Sequence, residues 1–92
     1  MPLPLKLHAS SLISLQTQIF EQVRGMILEG RLRPGEPLPA TRTLSEQLGI
    51  ARNTTALAYE RLAAEGYIET RRSVGTFISM QIPEGALYTA TH

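Results

Sequence analysis

Cysteine is absent from this 92-residue chain, which removes disulfides and any thiolate zinc site. Tryptophan is absent too, aromatic residues make up only 5%, and histidine occurs only as His8 and His92. Each histidine falls in an end of the chain expected to be flexible, with no carboxylate pair or nucleophile–base grouping and no ligand spacing around it. The expectation is a protein that is not an enzyme, with no catalytic residue, no metal site and no cofactor held in this chain. No apolar run approaches the ~18 residues of a membrane-crossing helix. The opening MPLPLKLHASS, with one lysine and two prolines, reads as neither signal peptide nor membrane anchor. Together with the missing cysteines, this suits a reducing cytoplasm.

A strong excess of one charge is also missing. Nine Lys and Arg against eight Asp and Glu leave a net charge of +1, less than a free-standing nucleic-acid binder usually carries. The distribution says more than the sum. Glu60, Glu65 and Glu69 cluster between Arg52 and Arg71, so the balance can conceal a basic face. Length sets the remaining bound: 92 residues, 42% apolar and 18% charged, make one small domain with a small core.

Residues 1–13, with Pro2 and Pro4, read as an N-terminal arm. From Ser14, Leu15, Ile19, Val23, Met26 and Ile27 recur at three- and four-residue steps, the apolar face of a helix. Ser14 is its N-cap and Gly30 its stop. Gln16, Gln18, Glu21, Gln22 and Arg24 fall on the other sides, which reads as a solvated face, with contact to a second copy as the alternative. RLRPGEPLP, with three prolines in nine residues, cannot be helical, and Pro34-Gly35 marks a turn. A short helix is expected from Thr41 to Leu48, closed by Gly49. A third runs from Arg52 to about Glu65 and ends at Gly66, with Thr55, Ala58, Tyr59 and Leu62 as its buried stripe. YIETRRSVGTFIS then alternates as two strands around Ser73–Gly75, a β-hairpin. Residues 80–92 read as a linker or frayed end, and 14–79 as the folded unit.

Helix, turn, short helix, glycine turn, longer helix, hairpin is the order of a winged helix-turn-helix: mainly α, three helices and a two-stranded wing. In that fold the second helix of the motif points its N-terminal end into the DNA major groove. Arg52 suits a bidentate contact to guanine, Asn53 one to adenine, and Thr54 a phosphate oxygen or a thymine methyl. The plainer reading of these residues is a capped, solvated first turn. Arg42 falls in the first turn of the short helix, where phosphates would pass, or is a surface charge. Arg71 and Arg72 approach the hairpin tip, and a wing can enter the minor groove, where arginine is favoured.

Residues 22–78 resemble the DNA-binding domain of the GntR family of bacterial transcription regulators. The resemblance rests on G-x-L-x-P-G-x-x-L-P (Gly30 to Pro39), R-x-L-x-x-x-L-G (Arg42 to Gly49), R-N-T (Arg52 to Thr54) and A-E-G-Y (Ala64 to Tyr67). R-N-T followed by A-Y-E (Ala58 to Glu60), E-G-Y-I-E-T-R and G-T-F-I is most similar to the MocR subgroup. Its members join this domain through a linker to a large domain resembling fold-type I aminotransferases. The resemblance implies double-stranded operator DNA as partner, a homodimer on paired half-sites, and pyridoxal phosphate for a full-length parent only; this chain is then either a fragment of such a parent or a short protein in its own right. It also implies DNA contacts at Arg42, Arg52, Asn53 and Thr54, and at Gly75 and Thr76 of the wing beside Arg72.

The departures from the family pattern carry expectations of their own. Ala40 stands where a capping Ser is usual, so Thr41 is expected to cap instead. Ala51 replaces a usual Ser or Thr and removes a phosphate donor. Ala56 lacks the base-reading arginine of other branches. Ser73 and Val74 replace a usual Gly and Ser at the wing tip. The competing function is a winged-helix protein-interaction module without specific DNA reading. Leu57, off the buried stripe and near the DNA-facing side, suits a protein contact in that case, or partial burial against a neighbour.

Overall fold

Ser14 opens the first helix as its sequence requires: its Oγ accepts a hydrogen bond from the Thr17 backbone N–H at 3.2 Å. In the computed structural model, which describes residues 3–81, the elements are α1 (Leu15–Leu28), β1 (Pro37–Leu38), α2 (Thr41–Leu48), α3 (Arg52–Ala64), β2 (Ile68–Arg71) and β3 (Gly75–Ile78). The expected segment 80–92 lies outside the described residues beyond Gln81. Glycine ends α1 and α3 alike. Gly30 and Gly66 adopt positive φ, and the following amides of Arg31 and Tyr67 reach back to the carbonyls of Met26 and Leu62. This is the Schellman closure, in which a left-handed residue lets the chain turn back and satisfy the last carbonyls.

The core forms where three surfaces meet: Ile19, Phe20, Val23, Met26 and Ile27 from α1, Leu44 from α2, and Ala58, Tyr59 and Leu62 from α3. Leu38, Ile68 and Ile78 close it from the sheet. Phe20, which the spacing argument passed over, is fully buried, while Leu15, placed on the stripe, is half-buried. The wing is larger than the expected two strands. Pro37 and Leu38 pair antiparallel with Phe77 and Thr76, giving a three-stranded sheet in the order β1-β3-β2. The cause lies in the proline-rich turn, which cannot be helical. The Ile78 amide donates to the Glu36 carbonyl, and the Gly35 amide to that of Ile78.

Gln16 and Glu21 are exposed as expected of a solvated face, but two glutamines on the same side depart from it. Gln18 is buried. Its Oε1 accepts from the His8 amide at 2.8 Å, and its Nε2 donates to the carbonyls of His8 (3.0 Å) and Ile13 (2.8 Å). Gln22 treats Lys6 the same way, accepting at 3.0 Å and donating at 2.7 Å. Four helical residues rise ~6 Å and two extended residues ~6.6 Å, so glutamines one turn apart match alternate residues of an extended arm. On the arm, Leu3 is buried and Leu5 and Leu7 half-buried, alternating with the exposed Pro4, Lys6 and His8. Gln47 of α2 donates to the Leu3 carbonyl at 2.8 Å. His8 therefore does not sit in a loose end, as the prolines suggested, because these amides hold its backbone on both sides. Gln18→Ala removes three hydrogen bonds at once. It is expected to cost about 1–3 kcal/mol of local stability and to speed amide exchange at His8 at least tenfold, measured by NMR. Unchanged protection of His8 would show that the glutamine does not hold the arm.

Candidate nucleic-acid interface

α2 and α3 are joined by Gly49, Ile50 and Ala51. Gly49, at φ 68°, takes the left-handed conformation that closes α2 and turns the chain toward α3, its amide donating to the Ser45 carbonyl. Beneath the turn, the Ser45 Oγ lies 2.7 Å from the Thr41 carbonyl and 2.8 Å from Thr55 Oγ1. A hydroxyl has one proton, so Ser45 donates to the carbonyl and accepts from Thr55. Both side chains are buried, and this link locks the two helices in one relative orientation. Tyr59 supplies a second lock, its hydroxyl donating to the Pro39 carbonyl at 2.7 Å. Burial raises the Tyr59 pKa by penalising the phenolate, so the donor stays protonated at neutral pH. Tyr59→Phe is expected to cost about 1–2 kcal/mol by leaving the Pro39 carbonyl unpaired, read as a lower denaturant midpoint. Because Pro39 directly precedes α2, the same variant should loosen the α2 start.

The helix starts differ in a way that bears on function. α1 is capped by Ser14, whereas Ala40 and Ala51 begin α2 and α3 with no side-chain cap. Thr41, expected to cap α2, lies inside the helix instead, because Ala40 takes the extended cap conformation. The polar cluster of α3 is likewise no cap: Arg52, Asn53 and Thr54 are its first three helical residues. First-turn amides without an intrahelical partner are natural donors to an anion, reinforced by the helix dipole.

The cations sort themselves accordingly. Arg31 pairs with Glu29, Arg61 with Glu65 and Arg71 with Glu69. Arg71 also lies 4.8 Å over the Phe77 ring, which takes it out of the free charge at the wing tip. Arg42, Arg52 and Arg72 are exposed and make no ion pair or side-chain hydrogen bond among the described residues. Lys6 and Arg33, on the arm and in the turn after α1, share that state. Asn53 is exposed and Thr54 half-buried at the start of α3. Arg42 is the second residue of α2. Gly75 opens β3 opposite Arg71, and Thr76 follows opposite Thr70. The α2–α3 start and the wing tip form two clusters, and no hydrogen bond or ion pair among the described residues joins them. At the tip, the Val74 amide donates to the Arg71 carbonyl and Ser73 adopts φ 64°. Positive φ at the third residue of such a turn belongs to type II, where glycine is usual, and serine holds it here.

Residues 15–78 match the family described as bacterial regulatory proteins, gntR family. The chain belongs to the GntR family. Among its relatives, the pyridoxine biosynthesis transcriptional regulator PdxR of Corynebacterium glutamicum is 46% identical over 77 residues, 84% of this chain and 17% of that protein. The probable rhizopine catabolism regulatory protein MocR of Rhizobium meliloti is 39% identical over 72 residues, 78% of this chain and 15% of that protein. The MocR-like subgroup read from the motifs agrees with both. This GntR chain thus spans about a sixth of the length of those relatives. The AraR DNA-binding domain, solved in complex with operator ORX1, superposes with a TM-score of 0.73 at 22% identity, covering 86% of this chain and 99% of that one. That likeness confirms the winged helix-turn-helix. The relatives are named as regulators.

Sequence reasoning missed the locks beneath the GntR motif. Tyr59 and Thr55 were legible as core from their spacing, but their hydroxyl partners at Pro39 and Ser45 lie 20 and 10 residues away, beyond any local signal. Among the described residues no helix is long and apolar enough to cross a membrane, and no group of three or more His, Asp or Glu is placed to hold a metal.

Proposed function

We propose that this chain reads an operator in double-stranded DNA by placing the N-terminal end of α3 in the major groove. The observation that carries the reading is that α2 and α3 both start without side-chain caps and each bears an uncommitted arginine, Arg42 or Arg52, in its first turn. Arg42 and the open amides hold phosphates, while Arg52, Asn53 and Thr54 reach base edges. Arg72, Gly75 and Thr76 meet the backbone or minor groove from the wing. Two copies occupy paired half-sites, so one domain alone binds weakly and a dimeric parent tightly. The unit 14–79, with its arm and C-terminal segment, acts in the cytoplasm as part of a longer MocR-like regulator, and pyridoxal phosphate belongs to the rest of that parent.

The test is a binding selection from random duplexes at low salt, run in parallel on Arg52→Ala. The expected result is a recurrent half-site that disappears with the variant, and binding that falls steeply with salt. If neither protein enriches any sequence, base reading is wrong, and a protein partner on the exposed face of α3 becomes the better account.

A further inference from the structure

We propose that Leu57 sets specificity by reading the 5-methyl group of thymine in the major groove, an inference that rests on the DNA-reading role of α3. Leu57 is 42% exposed, alone among the large apolar residues of α3. A single exposed leucine is ordinary on a protein surface; its position is what distinguishes this one. The buried stripe is Thr55, Ala58, Tyr59 and Leu62. At ~100° per residue, Leu57 falls roughly 200° around the axis from Thr55, directly away from the core. Asn53 and Glu60 share that side, both exposed, and the half-buried Ala56 flanks it. A duplex that docks on the start of α3 and lies along the Asn53 side brings Leu57 into the groove one helical turn after Asn53.

The chemistry of the groove names the ligand. Every base pair offers hydrogen-bonding groups there, but only thymine offers an apolar one. Leucine carries no donor or acceptor, so facing any other base edge it would strip water from polar atoms and return nothing. The rise from Asn53 to Leu57 is ~6 Å, close to two base steps of ~3.4 Å. The thymine therefore lies within about two steps of the base pair that Asn53 reads. Glu60 bounds the patch, since its carboxylate repels phosphates that come closer to the C-terminal half of α3.

Thymine and uracil differ by that methyl alone, which makes the test direct. The 92-residue chain and Leu57→Ala are titrated against the duplex recovered from the selection, with each thymine replaced singly by deoxyuridine. For the parent protein, one substitution near the Asn53-dependent base pair should weaken binding about fourfold, the worth of one buried methyl-sized group. Leu57→Ala should bind the thymine duplex correspondingly less well and no longer distinguish it from the uracil one. Leu57 is exposed and alanine favours helix, so the variant keeps its fold, checked by thermal melting. Specific binding with no effect of uracil at any position overturns the proposal, as does a thymine preference that survives in Leu57→Ala. A failed selection would instead remove the DNA-reading role itself.

Discussion

Asn53→Ala is expected to lower affinity for the selected operator roughly ten- to hundredfold and to erase preference at one base pair, because a good bidentate side-chain contact discriminates by about 1–3 kcal/mol. Asn53 is the second residue of α3, exposed and on the side away from the core, so its loss should leave folding intact. Arg42→Ala should behave differently. A guanidinium on phosphate carries no sequence information, so its removal weakens all duplexes by a similar factor and reduces the salt slope by about 0.9. Titrations of cognate and singly altered duplexes at several salt concentrations separate the two patterns. Equal losses by Asn53→Ala on cognate and scrambled duplexes would reassign Asn53 to the backbone. An unchanged salt slope in Arg42→Ala would remove Arg42 from the phosphates.

Phe20→Ala is expected to destabilise the domain by about 3–5 kcal/mol. Phe20 is fully buried although the apolar spacing of α1 passes over it, and the residues that bury it explain how. Its ring meets Tyr67 edge-on with centroids 6.4 Å apart, and the guanidinium groups of Arg24 and Arg61 lie 5.0 and 3.9 Å from its centroid. The two guanidinium groups lie over the ring, and each gains from the ring face. Removing the ring opens a cavity and strips both arginines and Tyr67 of their partner. Against a stability of typically 5–15 kcal/mol for a small domain, that is a large fraction. The melting temperature should fall by roughly 15–30 °C, whereas Phe20→Leu should retain most of it. A drop of a few degrees for alanine would mean that the arginines collapse over the gap and that this cluster is not central to the fold.

How far the sequence reached depended on the range of each interaction. Helix starts, stops and stripes were legible because their causes lie within a few residues: Ser14 caps, Gly30, Gly49 and Gly66 take positive φ, and period-3.6 spacing marks what is buried. The MocR-like motifs were legible for the same reason, as short ordered runs. Where the glutamines and the proline-rich segment departed from expectation, the partner was distant in the chain. Gln18 and Gln22 are polar and were assigned to water, yet an arm 10 to 16 residues earlier supplies backbone groups that satisfy them. Pro37 and Leu38 showed no strand signal of their own, and their pairing exists only because β3 presents an edge. Thr41 looked like the better cap by residue type, but backbone geometry placed Ala40 there.

The candidate site divides along the same line. By itself the sequence determined that a polar first turn precedes an apolar stripe in α3, that arginines stand at both helix starts and at the wing, and that the chain belongs among GntR regulators. The first two follow from local periodicity and residue chemistry, the last from short ordered motifs that resemble the family. Only the tertiary structure decided which of those groups remain available. It commits Arg71 to Glu69 and Phe77 and leaves Arg72 exposed, it leaves α2 and α3 uncapped, and it leaves Leu57 exposed rather than covered by a neighbour. Availability is what remains after every other residue has found its partner, and most of those partners are brought near by the fold rather than by the chain.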